Sequence, residues 1–391
     1  MKIFILDTVK PLLNAGAVHR WELIRNLAKI GHDVWVIAYK DIEIKGVHAT
    51  LLKGRVGVIG KLSSRFRYVG MLFKLAMRHH FDILYTRNGL NGVIGYLLKI
   101  LTGSKLVYEL NGILSDEWEL WKKQNKSGIF EKIEMEMSIR AEKFALKKAD
   151  AVIAVIEGIK NYLVNCGINE SKITVIENGA NTDLFRPIDD SIALQRLRKQ
   201  YNIEEEDHLV VFAGGMAPYQ GIEHLIIAAP LILEKVPKTK FLIVGDGIMR
   251  KKWEDMAKEF GLNEKFIFTG RVPYKDVPKY INVGDVCISM KKPIVPGSSL
   301  KVFEYMACEK PVIATKNSSY GFEILEEENA GLLVDPEKPE DVRDAIIKLL
   351  MDKELSKKMG KNGRKVVIER YSWESTAKRV AEVCKLVIEK Q

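Results

Sequence analysis

Cysteine is scarce in this chain of 391 residues: Cys166, Cys287, Cys308 and Cys384 are the whole complement. They stand far apart, with no metal-ligand spacing or pairing rhythm, which excludes a disulfide framework and points to a reducing compartment. Long apolar runs are missing as well, since no stretch approaches the roughly 20 residues that a membrane span needs. The opening MKIFILDTVKP has an apolar run too short for a secretory signal, and Asp7 interrupts it. The chain is therefore expected in the cytoplasm, or peripherally on the inner face of the cell membrane.

Acidic residues are absent from one long segment, Lys45 to Phe81. There Lys45, Lys53, Arg55, Lys61, Arg65, Arg67, Lys74 and Arg78 accumulate, and Phe66, Val69, Leu72, Phe73 and Met77 recur among them at helical spacing. Two readings stay open: a helix lying in the plane of an anionic membrane, or a basic surface helix packed on a core. No recognised motif for nucleic acid accompanies the charge, so nucleic acid is not an expected partner. The formal net charge is +10, and it is unevenly spread. Residues 1–185 carry 27 Lys+Arg against 19 Asp+Glu, and the remainder 34 against 32, so the excess suggests an anionic partner for the first half.

What is present is an ordinary globular composition, 47% apolar and 29% charged, long enough for two domains. Short apolar runs alternate with helical patterns from the start: Lys2–Leu6, a helix over Val18–Ile30 stopped by Gly31, then Val34–Ala38. Further strand-like runs are Val47–Leu52, Ile83–Thr86, Leu106–Leu110, Ala151–Val155 and Ile173–Ile176. Gly16 falls in the first strand-to-helix loop. Glu109 and Asn111 fall in a YELNG turn at the carboxyl end of their strand, the edge where doubly wound sheets place ligands. A capping Asn and an exposed Glu would give the same letters. Trp118 to Lys148 reads as one long charged helical segment, and the polar stretch Asp189–Asp207 as a linker.

The pattern then restarts. Leu209–Ala213 ends in Gly214-Gly215, a helix over Gly221–Glu234 is kinked or shortened by Pro230, and Gly245-Asp246-Gly247 closes the next strand, Phe241–Val244. Phe266–Phe268, Val286–Ser289, Pro311–Ala314 and Leu332–Val334 follow, and Ser372–Lys390 is an amphipathic helix with Val380, Val383, Leu386 and Val387 on one face. The densest stretch is VPGSSLKVFEYMACEKPVIAT. Pro296, Gly297, Ser298 and Ser299 make a turn, a short helix begins near Lys301, and Pro311–Ala314 is a buried strand. A helix starting at such a turn offers unpaired N–H groups to a phosphate, Lys301 adds a cation, and Glu304 could accept two hydrogen bonds from a vicinal diol. A turn, a surface helix and a solvated Glu304 is the plain alternative.

In order, these motifs resemble the GT-B glycosyltransferases, specifically the retaining family-4 group. The elements are the early glycine loop with GHDV, then ADAVIAV, IENGANTDLFRP, VFAGG with QGIEHLI, FLIVGDG, FIFTGRVP and LKVFEYMACEKPVIAT. The resemblance covers nearly the whole chain. It implies an α/β fold of two Rossmann-like domains facing a cleft: residues 1–186 for the acceptor, a linker 187–207, and 208–371 for the donor. Residues 372–391 would form a helix that packs back on the first domain. It also implies transfer of a sugar from a nucleotide-diphosphate sugar to a glycan or lipid-linked acceptor, with the nucleotide sugar as co-substrate and no resident cofactor or metal.

By position, Glu304 would bind the donor ribose. Lys301 and the backbone at Ser298, Ser299 and Leu300 would meet the diphosphate. Gly16, Gly214 and Gly215 would lie on the phosphate side, Gln220, Gly245 and Asp246 elsewhere among the donor-binding residues, and Arg271 and Val272 beside the base. Glu109, Asn111 and Lys301 are the candidate catalytic residues. The chain departs from the family pattern at Pro296 (often glutamate), Gly215 and Gln220 (often Arg and Lys) and Asn111 (often histidine). These variants resemble the branch that builds surface polysaccharides. No convincing Asp-x-Asp metal motif is present, so Lys301 and helix or loop amides would stabilise the leaving diphosphate. The rival readings are a GT-B nucleotide-sugar 2-epimerase and a non-catalytic nucleotide-sugar-binding subunit.

Overall fold

The structure is a computed structural model that describes residues 1–9, 15–40, 42–52, 58–124, 128–292, 299–316 and 321–390. Its backbone divides into two compact units. The first holds the described residues of 1–178 together with 373–390, and the second those of 179–292 and 299–372.

In the first unit, β1 (Lys2–Val9), α1 (Ala15–Lys29), β2 (Asp33–Ala38), β3 (Val47–Leu51), α2 (Val58–Arg78), β4 (Ile83–Thr86) and α3 (Gly89–Thr102) come first. Next are β5 (Lys105–Leu110), α4 (Leu114–Gln124), α5 (Ile129–Lys148), β6 (Ala151–Ala154), α6 (Glu157–Asn165) and β7 (Ile173–Val175). All pairings are parallel, in the order β3-β2-β1-β4-β5-β6-β7. Strand order therefore reverses between β1 and β4, which makes the carboxyl end of that pair the natural ligand crevice of the sheet.

The second unit runs α7 (Ser191–Gln200), β8 (His208–Ala213), α8 (Ile222–Lys235), β9 (Thr239–Val244), α9 (Arg250–Glu259), β10 (Phe266–Gly270) and α10 (Val277–Asn282). Then come β11 (Val286–Ser289), α11 (Leu300–Ala307), β12 (Val312–Thr315), α12 (Ile324–Glu327), β13 (Gly331–Val334), α13 (Pro339–Met351) and α14 (Lys353–Arg370). Its strands are parallel too, ordered β10-β9-β8-β11-β12-β13, with the reversal between β8 and β11. Helices cover both faces of such a sheet, and the strands are accordingly apolar on both sides: AVIA of β6 and VIAT of β12 are buried throughout.

The last helix, α15 (Trp373–Glu389), returns to the first unit, where Ala377, Val380, Ala381, Val383, Cys384 and Val387 join its core. Leu386, expected on that face, is exposed. Arg379 clamps the return by donating to Glu177 Oε2 and to the Val175 carbonyl, each at 2.7 Å.

The charged segment 118–148 is helical, carried by α4 and α5. The linker stretch folds as α7, capped by Asp190 Oδ1 on Ala193 N–H and held by buried Leu197. Helix α8 runs on through Pro230 without being cut short. The basic segment forms α2, but much of its apolar stripe faces inward. Leu72 is fully buried and Phe73 packs on the same core, while Phe66 and Met77 are exposed. Lys53 and Arg55 lie outside the described residues.

Candidate functional site

The residues singled out in the second unit gather at the carboxyl edge beside its topological reversal. Gly214 and Gly215 follow β8, Lys291 follows β11, and α11 starts with Ser299 as its N-cap. Tyr305 fixes α11 to the end of β8, because its hydroxyl accepts from Ala213 N–H at 2.7 Å and donates to the Ala213 carbonyl at 3.2 Å. That anchor places Lys301 under the glycine turn. Its Nζ donates to Gln220 Oε1 at 2.6 Å and lies 4.0 Å from the centre of the Phe212 ring.

Lys301 is buried and has Lys291, also buried, as an electrostatic neighbour. Burial first, and the like charge of Lys291 second, hold its ammonium well below the usual lysine range, against a smaller pull from Glu304. Two lysines in a buried setting, one resting on a neutral amide, suit a ligand that brings negative charge.

Glycine is required here for space. Gly221 has φ +67°, and a Cβ on it would meet the Met290 carbonyl oxygen at 1.9 Å. Gly245 has φ +132°, and its Cβ would meet the Gly214 carbonyl oxygen at 2.0 Å. The neighbouring Asp246 accepts from Gly247 N–H at 2.8 Å and faces Arg250 at 3.9 Å, which shapes the turn.

Glu304, one turn into α11, is buried and accepts from the Tyr274 hydroxyl at 2.9 Å. It is not a solvated side chain. Val272 and Tyr274 pack on the same core, whereas Arg271 is exposed. Leu300 is half-buried, and Ser299 is buried with a hydroxyl that meets no hydrogen-bond partner among the described residues. Ser298, with Pro296 and Gly297, lies outside the described residues.

The first unit has its own polar cluster at the reversal between β1 and β4. Asp7, near the end of β1, accepts from Arg87 N–H at 2.7 Å and Asn91 Nδ2 at 2.8 Å. The turn carrying Arg87 is set by Asn88, whose side chain caps α3 by accepting from Leu90 and Asn91 N–H. On β5, Glu109 is buried and accepts from the Tyr85 hydroxyl and from Asn111 Nδ2 at 2.6 Å. Its Oε1 also faces His19 Nε2 at 3.0 Å and Arg87 Nε at 3.5 Å.

Burial pushes the Glu109 carboxyl up, but His19, Arg87 and the hydrogen bonds from His19 and Tyr85 more than reverse this and keep it ionised. His19, buried against the edge of Trp373 at 4.8 Å, is held below its usual value by burial and then by Arg87. Gly16 lies in the first turn of α1, three residues before His19. Glu109 and Asn111 are thus in one cluster with His19, Arg87 and Asp7, none of which the motifs singled out as site residues. His19 was readable only as a polar residue on an otherwise buried helix face. Lys291 and Tyr274 were likewise missed, because each follows an unremarkable strand end.

Two family models match the chain: Glycosyltransferase Family 4 over residues 16–184 and Glycosyl transferases group 1 over residues 195–366. The glycosyltransferase MJ1607 of Methanocaldococcus jannaschii is 30% identical over 248 residues, 61% of this chain and 60% of that protein. The chain thus aligns with less than two thirds of that relative's length. Among solved structures, sucrose-phosphate synthase from Thermosynechococcus elongatus superposes with a TM-score of 0.79 at 21% identity, covering 100% of both chains. HepE from Anabaena, solved with UDP-glucose, gives 0.75 at 20% identity over 99% of this chain and 100% of that one. With the two parallel sheets, the glycine turns and the buried Lys301 and Glu304, these matches identify the chain as a member of the GT-B glycosyltransferases of group 1 and family 4.

Proposed function

We propose that the protein is a retaining glycosyltransferase that moves a sugar from a nucleotide-diphosphate sugar to a glycan or lipid-linked acceptor in glycoconjugate synthesis. The observation that carries this reading is α11, which holds Lys301 and Glu304 buried one turn apart at the switch point of the second sheet. In this reading Glu304 receives the ribose hydroxyls and Tyr274 orients its carboxylate. Lys301, supported by Lys291, takes the diphosphate. The negative charge on the diphosphate grows as the glycosidic bond breaks, so a cation placed there lowers the barrier more than it tightens binding. A neutral Lys301 amine would take up a proton as the diphosphate arrives.

The acceptor belongs to the first unit in this proposal, where Asn111 stands at the rim and Glu109 is a positioning residue for Asn111, His19 and Arg87. The leaving phosphate takes the acceptor's proton on the face from which it departs, so no protein nucleophile is invoked. The solved HepE complex, which holds UDP-glucose on the same fold, supports a nucleotide-sugar donor.

Exposed Arg65, Arg67, Lys74 and Arg78 on α2 support peripheral attachment to an anionic membrane. The function test is release of nucleoside diphosphate across a panel of UDP-, GDP-, ADP- and dTDP-sugars, with the anomeric configuration of the product read by NMR. Retained configuration with one donor class is the expected result. An inverted product would refute the retaining assignment.

A further inference from the structure

The polar cluster of the first unit has more donors than it can use. Asp7 is occupied by Arg87 N–H, Asn91 and, at 3.4 Å, the Thr86 hydroxyl. Glu109 accepts from Tyr85 and Asn111 and faces the His19 ring at 3.0 Å. Most of these donors are neutral, and the only guanidinium contact to either carboxylate among the described residues is the 3.5 Å approach of Arg87 Nε to Glu109 Oε1. Among the described residues, Arg87 is left with Nε and Nη1 buried and without a hydrogen-bond acceptor, although Nε lies 3.5 Å from Glu109. Arg20, on α1, has its buried Nε in the same condition and sits within electrostatic reach of Asp7, Arg87 and Glu109. A guanidinium carries five N–H donors and no acceptor, and buried donors are nearly always satisfied in a native protein.

The missing partner must supply acceptors. A sugar hydroxyl would also bring an O–H in need of an acceptor, and the two carboxylates already accept from Arg87 N–H, Asn91, Tyr85 and Asn111. A phosphate or carboxylate brings oxygens only, and its geometry matches the planar fork of an arginine. We propose that Arg87 and Arg20 form a receptor for an oxyanion carried by the acceptor substrate, a phosphate or carboxylate group bound at the β1–β4 switch point. The acceptor would then be an anionic molecule and not a neutral glycan. This inference rests on the first unit being the acceptor side.

The test uses the full chain and inorganic phosphate, with melting temperature followed against potassium chloride of equal ionic strength. Phosphate should raise the melting temperature of the wild type. Arg87→Met and Arg20→Met should each weaken phosphate roughly ten-fold or more, the scale of a lost charge-assisted contact. Arg87→Lys, which keeps the charge and loses the fork, should fall between, and it serves as the readout should Arg87→Met not fold. Lys301→Met distinguishes the source, because an anion site belonging to the donor diphosphate would be lost there and spared in Arg87→Met.

Persistence of the phosphate effect in Lys301→Met, and with saturating UDP, supports the proposal. It is overturned by no effect on the wild type, by a phosphate response in the Arg87 and Arg20 variants as large as the wild type's, or by loss in Lys301→Met alone. Nucleotide-sugar binding is measured separately, so failure of the donor reading would show as absent nucleotide binding with the phosphate response intact.

Discussion

A Cβ on Gly214 would stand 2.8 Å from Lys301 Nζ and 2.9 Å from its Cε, so the glycine is the space through which the lysine reaches Gln220. The atoms met are the far end of a flexible side chain. Gly214→Ala should therefore change stability by less than about 1 kcal/mol while displacing Lys301 and weakening nucleotide binding about ten-fold. Gly245→Ala should behave in the opposite way. Its positive φ and the 2.0 Å approach to a backbone oxygen predict a loss on the order of 3 kcal/mol. Urea unfolding and nucleotide titration of both variants check the pair, and comparable stability losses would contradict it.

Lys301 gives a pH signature. Its folded pKa is depressed below the 10.5 of an unperturbed lysine, so between those values the unfolded chain holds a proton that the folded one lacks. Stability of the ligand-free protein therefore rises with pH through that window, by up to about 1.4 kcal/mol per unit, and this contribution is lost as pH falls. Lys301→Met should remove the slope. Urea midpoints of both proteins across alkaline pH decide the matter, and parallel curves would show that the lysine is charged when buried.

Much of this arrangement was readable from residue order, and the reasons are physical. Strands buried on both faces read as short apolar runs, and the thirteen strands of the described residues, the partly exposed β3 and β7 included, coincide with the runs named above to within a few positions. Glycine turns such as those at Gly221 and Gly245 were legible because close backbone approach restricts the residue type. The partners Tyr274, Lys291, His19 and Arg87 were not, since contacts between residues tens of positions apart leave no spacing to read. The stripe on α2 shows the converse: Leu72 and Phe73 have the spacing of a membrane-facing helix, yet they pack on the core of their own unit.

Glu109→Gln should be costly in the first unit. Removing the charge leaves Arg87 buried opposite a neutral amide, and breaking a buried pair in this way costs about 3–5 kcal/mol. Because the folded carboxyl is depressed below the usual 4.5, its contribution is fully present above that value and disappears as pH falls through the folded pKa. Unfolding of wild type and variant should converge in strong acid. A constant difference from neutral to acidic pH would contradict the ion-pair account.

Membrane attachment through α2 predicts co-sedimentation with anionic vesicles that weakens with salt, each cation contributing roughly 1 kcal/mol. Replacing Arg65, Arg67, Lys74 and Arg78 with glutamine should abolish it while leaving nucleotide binding unchanged. Equal binding to neutral vesicles, or none to either, would leave α2 as a solvated face.

Direct titration of nucleotide sugars tests the central claim of a donor site on α11. One base class should raise the melting temperature of the wild type, with about 2.7 kcal/mol gained at one hundred times the dissociation constant. Glu304→Gln should lose several-fold in that affinity while unfolding at a similar urea concentration without ligand. A wild type that no nucleotide or nucleotide sugar stabilises, or a Glu304→Gln variant with unchanged affinity, would contradict the account.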